Sequence, residues 1–133
     1  MGKVSITPSV PIILASASKI RAKILRNTGL IFSIETSDIN EDELKKELLN
    51  KNVTEKVKLL ACAKASNVSK KYPNKYVIGA DQICTLKDKI LNKPITMNNA
   101  IKQLSELSGK THKQTSGICL YYNNALIWSY AEE

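Results

Sequence analysis

The stretch 10–30 combines small, hydroxyl-bearing and basic residues in the order that an anion-binding turn requires. A short apolar run at 11–14 is followed by small residues alone at 15–18, and bulky apolar and basic residues then alternate through 19–27. This order predicts a buried strand, a tight loop and a helix. Because the first N–H groups of such a helix lack intrahelical partners and lie at the positive end of its dipole, they form a binding site for anions.

Three side chains in this stretch add to the predicted phosphate site. Ser16 and Ser18 supply hydroxyl donors, and Arg21 supplies a fixed positive charge whose planar fork matches two phosphate oxygens. The alternative is that Ser18 is an ordinary N-cap and Arg21 a solvated helix residue, since small-residue turns between a strand and a helix are common in α/β domains. The sequence leaves both interpretations open.

Two charged residues further along the chain are candidates for the same site. Residues 76–80 form the clearest buried strand, which we expect to end on Asp81. An acid at the carboxyl end of a central strand faces the ligand crevice in related α/β sheets, although an Asp that caps a loop is a common alternative. Lys64 lies on the apolar face of a predicted helix at 55–70, so it either extends to solvent or reaches an anion in a cleft.

Glu41 and Lys93 complete the set of charged candidates. Glu41 opens the acidic run 41–43, at the start of a short predicted helix capped by Asn40. A charged first turn is the main alternative to a metal-ligand role for this run, because the helix dipole favours acids there. Lys93 precedes Pro94, which holds the lysine on an extended, stiff segment.

Turn residues and hydrophobic periodicity predict the remaining elements. These are a strand at 30–35, a Thr54 cap for the helix at 55–70, a hairpin over 83–91, a helix capped by Thr96, and strands at 114–122 and 125–130 around an Asn123-Asn124 turn. Strands that alternate with helices in this way indicate an α/β domain.

Length and composition describe a single globular domain over 1–133. No apolar run is long enough to cross a membrane and the first ten residues lack the apolar core of a signal peptide, so we expect a cytoplasmic protein without a membrane partner. Cys62, Cys84 and Cys119 are far apart and lack metal-ligand spacing, so we expect buried or half-buried thiols. With His112 as the only histidine, a histidine-based metal cluster is excluded.

The charge balance favours a negatively charged partner. Lys and Arg number 20 against 12 Asp and Glu, which gives a formal net charge of +8. Both a nucleotide and a nucleic acid fit this charge. Aromatic residues number only seven, and several cluster near the C-terminal end instead of interleaving with basic ones, so a nucleic-acid partner is disfavoured.

Four motifs occur in one order: LASASKIR at 14–21, GADQ at 79–82, NKP at 92–94 and LSGKTH at 107–112. With them the sequence resembles the Maf (septum formation protein) family of nucleoside triphosphate pyrophosphatases, from about Ile12 onwards. The pair Asp81-Gln82 resembles the branch that includes N7-methyl-GTP pyrophosphatases, whereas the other branch has Asp-Thr at this point.

The resemblance implies a mixed, elongated, twisted sheet flanked by helices, with a cleft for a nucleoside triphosphate and a divalent cation, Mg²⁺ or Mn²⁺. It implies cleavage between the α and β phosphates to a nucleoside monophosphate and pyrophosphate. Carried over by position, the residues expected to bind phosphate or substrate are Ser16, Ser18, Arg21, Lys64, Gln82 and Lys93. Those expected to bind the metal are Glu41 and Asp81, and Asp81 is also the expected catalytic acid or base.

Two departures from the family pattern lead to further expectations. The run 18–21 has one arginine fewer than the usual family motif, and family members continue beyond the position of Glu133. We therefore expect a C-terminally truncated member with reduced activity. Its C-terminal hairpin would expose aromatic residues and associate into a homodimer, and the residues concerned are Tyr121, Tyr122, Trp128 and Tyr130.

Two other functions compete with a pyrophosphatase. One is a catalytically weak or inactive nucleotide-binding remnant, with a role in division control that the family name suggests. The other is a basic nucleic-acid-binding module, which the charge allows and the aromatic pattern disfavours.

Overall fold

The computed structural model describes residues 9–86, 89–91, 96–107 and 112–133. The strands are β1 (Ile12–Ala15), β2 (Ser33–Ile34), β3 (Tyr76–Leu86), β4 (Lys89–Leu91), β5 (Lys113–Tyr122) and β6 (Ala125–Glu132). The helices are α1 (Lys19–Arg26), α2 (Glu41–Glu47), α3 (Val53–Lys71) and α4 (Met97–Leu107).

The strands form one mixed sheet in the order β2-β1-β3-β5-β6, with β4 also paired to β3. Strand β1 is parallel to its neighbours β2 and β3, whereas β5 is antiparallel to its neighbours β3 and β6. This architecture confirms the predicted α/β class with a mixed sheet flanked by helices.

One edge of β3 has a gap in its strand pairing. Strand β5 pairs along the whole of one edge, from Tyr76 to Thr85. On the other edge β1 pairs with 76–79 and β4 with 84–86, so among the described residues no strand pairs with 80–83 there. The expectation that the strand ends on Asp81 was therefore wrong. Asp81 lies in mid-strand, and it faces a crevice because β1 ends beside it.

Helix α3 lies directly against one face of the sheet. Its apolar side chains at Val57, Leu60, Ala61, Ala65 and Val68 are buried. A Cβ atom on Gly79 would collide with the carbonyl oxygen of Ala61, and one on Gly117 would lie 2.8 Å from that of Val57. Two residues without side chains therefore allow the helix backbone to touch β3 and β5.

Several predicted boundaries need correction. Helix α3 is capped by Asn52, whose side chain accepts a hydrogen bond of 2.8 Å from the Glu55 N–H, and Thr54 lies inside the first turn. The strand expected at 30–35 is reduced to Ser33–Ile34, with an isolated bridge at Leu30. The caps at Asn40 and Thr96 are confirmed.

The hairpin of β5 and β6 is confirmed. Asn123 and Asn124 have φ angles of 50° and 56°, as a two-residue type I′ turn requires. Trp128 and Tyr130 are exposed, as expected. The pair at 121–122 is half-buried instead, since the Tyr122 ring packs at a tilt against the Tyr76 ring, with centroids 4.9 Å apart, and Tyr121 packs on the core. Association through this hairpin stays a prediction.

Among the described residues, no helix combines the length and apolar character needed to cross a bilayer. The three cysteines are free thiols, two half-buried and one buried, as expected.

Replacing Gly79 with Ala should destabilise the fold, because the added methyl group meets the α3 backbone, which cannot rotate away as a side chain would. We expect a loss of roughly 1–3 kcal/mol in the free energy of unfolding, measured in urea. Ala125→Ser, which also adds one heavy atom to a strand but at an exposed position, is the matched control. Equal stability of the two variants would contradict the close packing of α3.

Candidate functional site

A cleft of about 1250 Å³ opens at the pairing gap in β3. Its walls come from the turn after β1, the first turns of α1 and α2, the buried face of α3, and parts of β3, β5 and β6. Seven of the predicted site residues line it: Ser16, Ser18, Arg21, Glu41, Lys64, Asp81 and Gln82. Lys93 lies outside the described residues, and its role stays a prediction.

The turn between β1 and α1 is organised by its two serines. The Ser16 hydroxyl oxygen accepts hydrogen bonds from the Ser18 N–H, at 3.1 Å, and from Nη1 of Arg21, at 3.3 Å. The Ser18 hydroxyl oxygen accepts from the Arg21 N–H at 3.2 Å, so Ser18 is the N-cap of α1. Arg21 is thus folded back over the turn, and its charge lies beside the helix N-terminus instead of projecting into solvent.

The electrostatics of this turn suit an anion. The first turn of α1 contains no acidic residue, in contrast to α2, whose first turn contains three. The positive end of the α1 dipole is therefore reinforced by Arg21 and is not neutralised by a neighbouring acid within that turn. A serine oxygen that accepts a hydrogen bond still has its own proton to donate, so both hydroxyls retain donor capacity toward a ligand.

Opposite this turn, Lys64 lies between two carboxylates. Its Nζ is 2.9 Å from Oε1 of Glu41 and 3.2 Å from Oδ1 of Asp81. The side chains of Lys64 and Asp81 are only 10% and 15% exposed, whereas that of Glu41 is 43% exposed. The lysine therefore reaches anions in a cleft instead of extending to solvent, and it fixes an acid from β3 beside an acid from α2.

The close packing of α3 explains this arrangement. Gly79 contacts Ala61, and Lys64 follows Ala61 by about one helical turn. Asp81 follows Gly79 by two residues and so points to the same face of β3. The two side chains therefore meet just beyond the point where the helix touches the strand.

Gln82 points away from this group. Neighbouring residues on a strand face opposite sides of the sheet, and the Gln82 amide donates a hydrogen bond of 3.0 Å from Nε2 to Oε1 of Gln114. It borders the cleft from the other face of the sheet, and its predicted substrate role stays a prediction.

The donor set fits a small divalent cation. Within the described ranges no cluster of three or more His, Cys, Asp or Glu side chains could hold a metal. Mg²⁺ does not need such a cage, because it keeps several waters and binds through one or two carboxylates together with substrate phosphates. Glu41 and Asp81, both in contact with one ammonium group beside a predicted phosphate site, match that description.

Some polar residues of the cleft were not singled out from the sequence, and two of them are hydroxyl residues. Thr36 and Ser37 line it from the loop that follows β2. Because β1 and β2 are parallel neighbours, the loops after both strands emerge at the same edge of the sheet. The hydroxyl residues that follow the second strand could therefore have been predicted from the sequence to lie in the cleft.

The fold and the cleft define an α/β protein with a charged cleft at the carboxyl end of parallel strands. Residues 11–133 match the family model described as Maf-like protein. The chain therefore belongs to the Maf-like protein family, which confirms the resemblance carried by the four motifs.

Curated relatives of the chain include proteins with two different names. The "Nucleoside triphosphate pyrophosphatase" of Legionella pneumophila (strain Paris) is 40% identical over 122 residues, which cover 92% of this chain and 61% of that protein. A protein of the same name from Pelagibacter ubique is 38% identical, with 92% and 64% covered. The "7-methyl-GTP pyrophosphatase" of Brucella abortus is 38% identical, with 92% and 62% covered. The chain spans about three fifths of the length of these relatives.

A double-mutant cycle with Lys64→Met and Asp81→Asn should give a large coupling energy. Both groups are shielded from solvent, so we expect about 1.5–3 kcal/mol in the free energy of unfolding, as for charge-assisted contacts of buried groups. The measurement is urea unfolding of the four proteins.

The ion pair of Lys71 and Asp38 is the matched control, since its side chains are 50% and 68% exposed. The same two substitutions there should couple far more weakly, because solvent screens an exposed ion pair. Coupling at Lys64 and Asp81 no greater than in the control would contradict a shielded ion pair in the cleft.

Proposed function

We propose that the protein hydrolyses nucleoside triphosphates to a nucleoside monophosphate and pyrophosphate. The observation that carries the proposal is that the N-terminus of α1, with Arg21, shares one cleft with the ion-paired carboxylates of Glu41 and Asp81. The names of the relatives support the same reaction.

The phosphates would bind at the turn after β1. The N–H groups at the start of α1, the hydroxyls of Ser16 and Ser18, and the Arg21 guanidinium all offer donors to phosphate oxygens. These donors are already held in place before substrate arrives, because the turn is internally hydrogen-bonded. Preorganised donors aimed at developing negative charge are an effective source of transition-state stabilisation.

Asp81 is the proposed base. Its carboxylate is largely shielded from solvent and is held in one position by Lys64, next to the predicted phosphate site. From there it would accept a proton from the water that attacks the anhydride bond. The charge of Lys64 would also offset the negative charge that the triphosphate brings into the cleft.

We further propose that Mg²⁺ or Mn²⁺ is the cofactor. Glu41 and Asp81 would hold it, and when bound it would neutralise phosphate charge and polarise the phosphoryl oxygens. Binding the metal and acting as the base are alternative roles for Asp81.

Asp81→Asn should reduce turnover by roughly two to four orders of magnitude, because it keeps the side-chain volume and removes the basic charge. The measurement is release of pyrophosphate from a panel of triphosphates that includes 7-methyl-GTP, with Mg²⁺ or Mn²⁺ present and absent. Asp38→Asn, an identical change at the exposed ion pair with Lys71, is the control and should retain full turnover. Full turnover in a folded Asp81→Asn protein would refute the role of Asp81 in the chemistry.

Arg21→Ala should weaken triphosphate binding by about 1.5–3 kcal/mol through loss of a charge-assisted contact. Calorimetry with a triphosphate whose α–β bridge is a methylene group measures binding without hydrolysis. Lys23→Ala removes a positive charge from an exposed position on the same helix and should have little effect. Equal affinities in the two variants would place the phosphates elsewhere.

The same assays separate the two competing functions. Binding of the analogue without turnover of any triphosphate would identify a nucleotide-binding remnant. Salt-sensitive binding to DNA or RNA, with neither nucleotide binding nor turnover, would identify a nucleic-acid-binding module.

A further inference from the structure

Two of the three cysteines meet at the interface between α3 and the sheet, outside the cleft. Cys119 on β5 is fully buried, and half-buried Cys62 on α3 packs against the same core cluster. The register explains the contact. Cys119 is the strand partner of Gly79, and Gly79 touches Ala61, the residue before Cys62.

The surroundings of the two thiols shift their pKa values in opposite directions. A hydrogen bond from the Cys119 thiol, together with the charge of Lys58 one turn earlier on α3, lowers the pKa of Cys62 below its ordinary value. The same hydrogen bond and burial raise the pKa of Cys119. Tyr121, next to the pair on β5, also has a raised pKa through burial and the charge of these thiols. Cys62 is therefore the more acidic thiol of the two and has some solvent access, whereas Cys119 is enclosed and keeps its proton.

We propose that Cys62 and Cys119 form a peroxide-sensitive dithiol site that closes to an intramolecular disulfide. The Cys62 thiolate attacks a peroxide oxygen, so that an S–O bond forms, the O–O bond breaks, and the leaving hydroxide takes up a proton to become water. Cys119 then attacks the sulfur of the Cys62 sulfenic acid. The S–S bond forms, the S–O bond breaks, and the departing hydroxide combines with the Cys119 proton as a second water. The two thiols lose two electrons, which reduce the peroxide to water.

This disulfide would tie α3, which carries Lys64, to the strand next to that of Asp81. Cys84 lies elsewhere on β3 and is half-buried, so it supplies an internal reference thiol for the test. Trypsin separates the three cysteines into different peptides, namely 59–64, 76–87 and 114–133.

The test treats the folded chain with one equivalent of hydrogen peroxide, blocks the remaining thiols under acid quench, and maps the peptides by mass spectrometry without reduction. We expect a linked pair of peptides 59–64 and 114–133 that reducing agent separates, with Cys62 oxidised roughly tenfold faster than Cys84. Cys84→Ser should give the same product. In Cys119→Ala, whose fold is checked by circular dichroism, Cys62 should instead be trapped by dimedone as the sulfenic acid.

If Cys119→Ala does not fold, Cys62→Ser is the second test variant. After peroxide treatment of Cys62→Ser, Cys119 should remain a thiol. Oxidation of Cys62 no faster than that of Cys84 would overturn the proposal. A product linked through Cys84, or a disulfide between two chains that disappears on dilution, would overturn it as well.

Discussion

The backbone of α3 touches the sheet at Gly79 and Gly117, and this contact positions both the core and the charged cleft. It buries the apolar face of α3 and sets the distance between the helix and strands β3 and β5. Since Lys64 follows the contact at Ala61 by one turn, the same packing brings its ammonium group to Asp81. The stability of the core and the position of the charged group are therefore consequences of one interface.

The cleft combines charges of opposite sign in separate places. Arg21 and the N-terminus of α1 make one side positive, whereas on the other side Lys64 contacts the carboxylates of Glu41 and Asp81. An anion that carries a bound cation can interact with both sides of the cleft. The anion would accept hydrogen bonds from the donors on one side, and the carboxylates on the other side would bind the cation. Both sides line one cleft because β1 ends beside Gly79 while β3 continues, which leaves the edge of β3 open at the pairing gap.

The sequence predicted those parts of the site that follow from local pattern. The strand, turn and helix around Ser18 were predicted correctly, as was the inward position of Lys64. Both depend on helical periodicity and on N-cap residues, which involve only neighbouring positions in the sequence. The continuation of β3 past Asp81 was missed, since a polar pair such as Asp81-Gln82 reads as the end of a strand unless its neighbours are known. The proximity of Cys62 and Cys119 was missed for the same reason, because only the register of β3 against β5 brings them together.

We propose that the phosphates bind at the turn after β1, opposite Lys64 and Asp81. Amide N–H chemical shifts in a titration with the methylene-bridged triphosphate analogue test it most directly, because backbone N–H groups at a helix N-terminus are expected to donate to the ligand. We expect the largest shifts at residues 16–21, with a second group around Asp81. Saturable shifts centred on the exposed strand β6 or on surface lysines, with 16–21 unchanged, would contradict it.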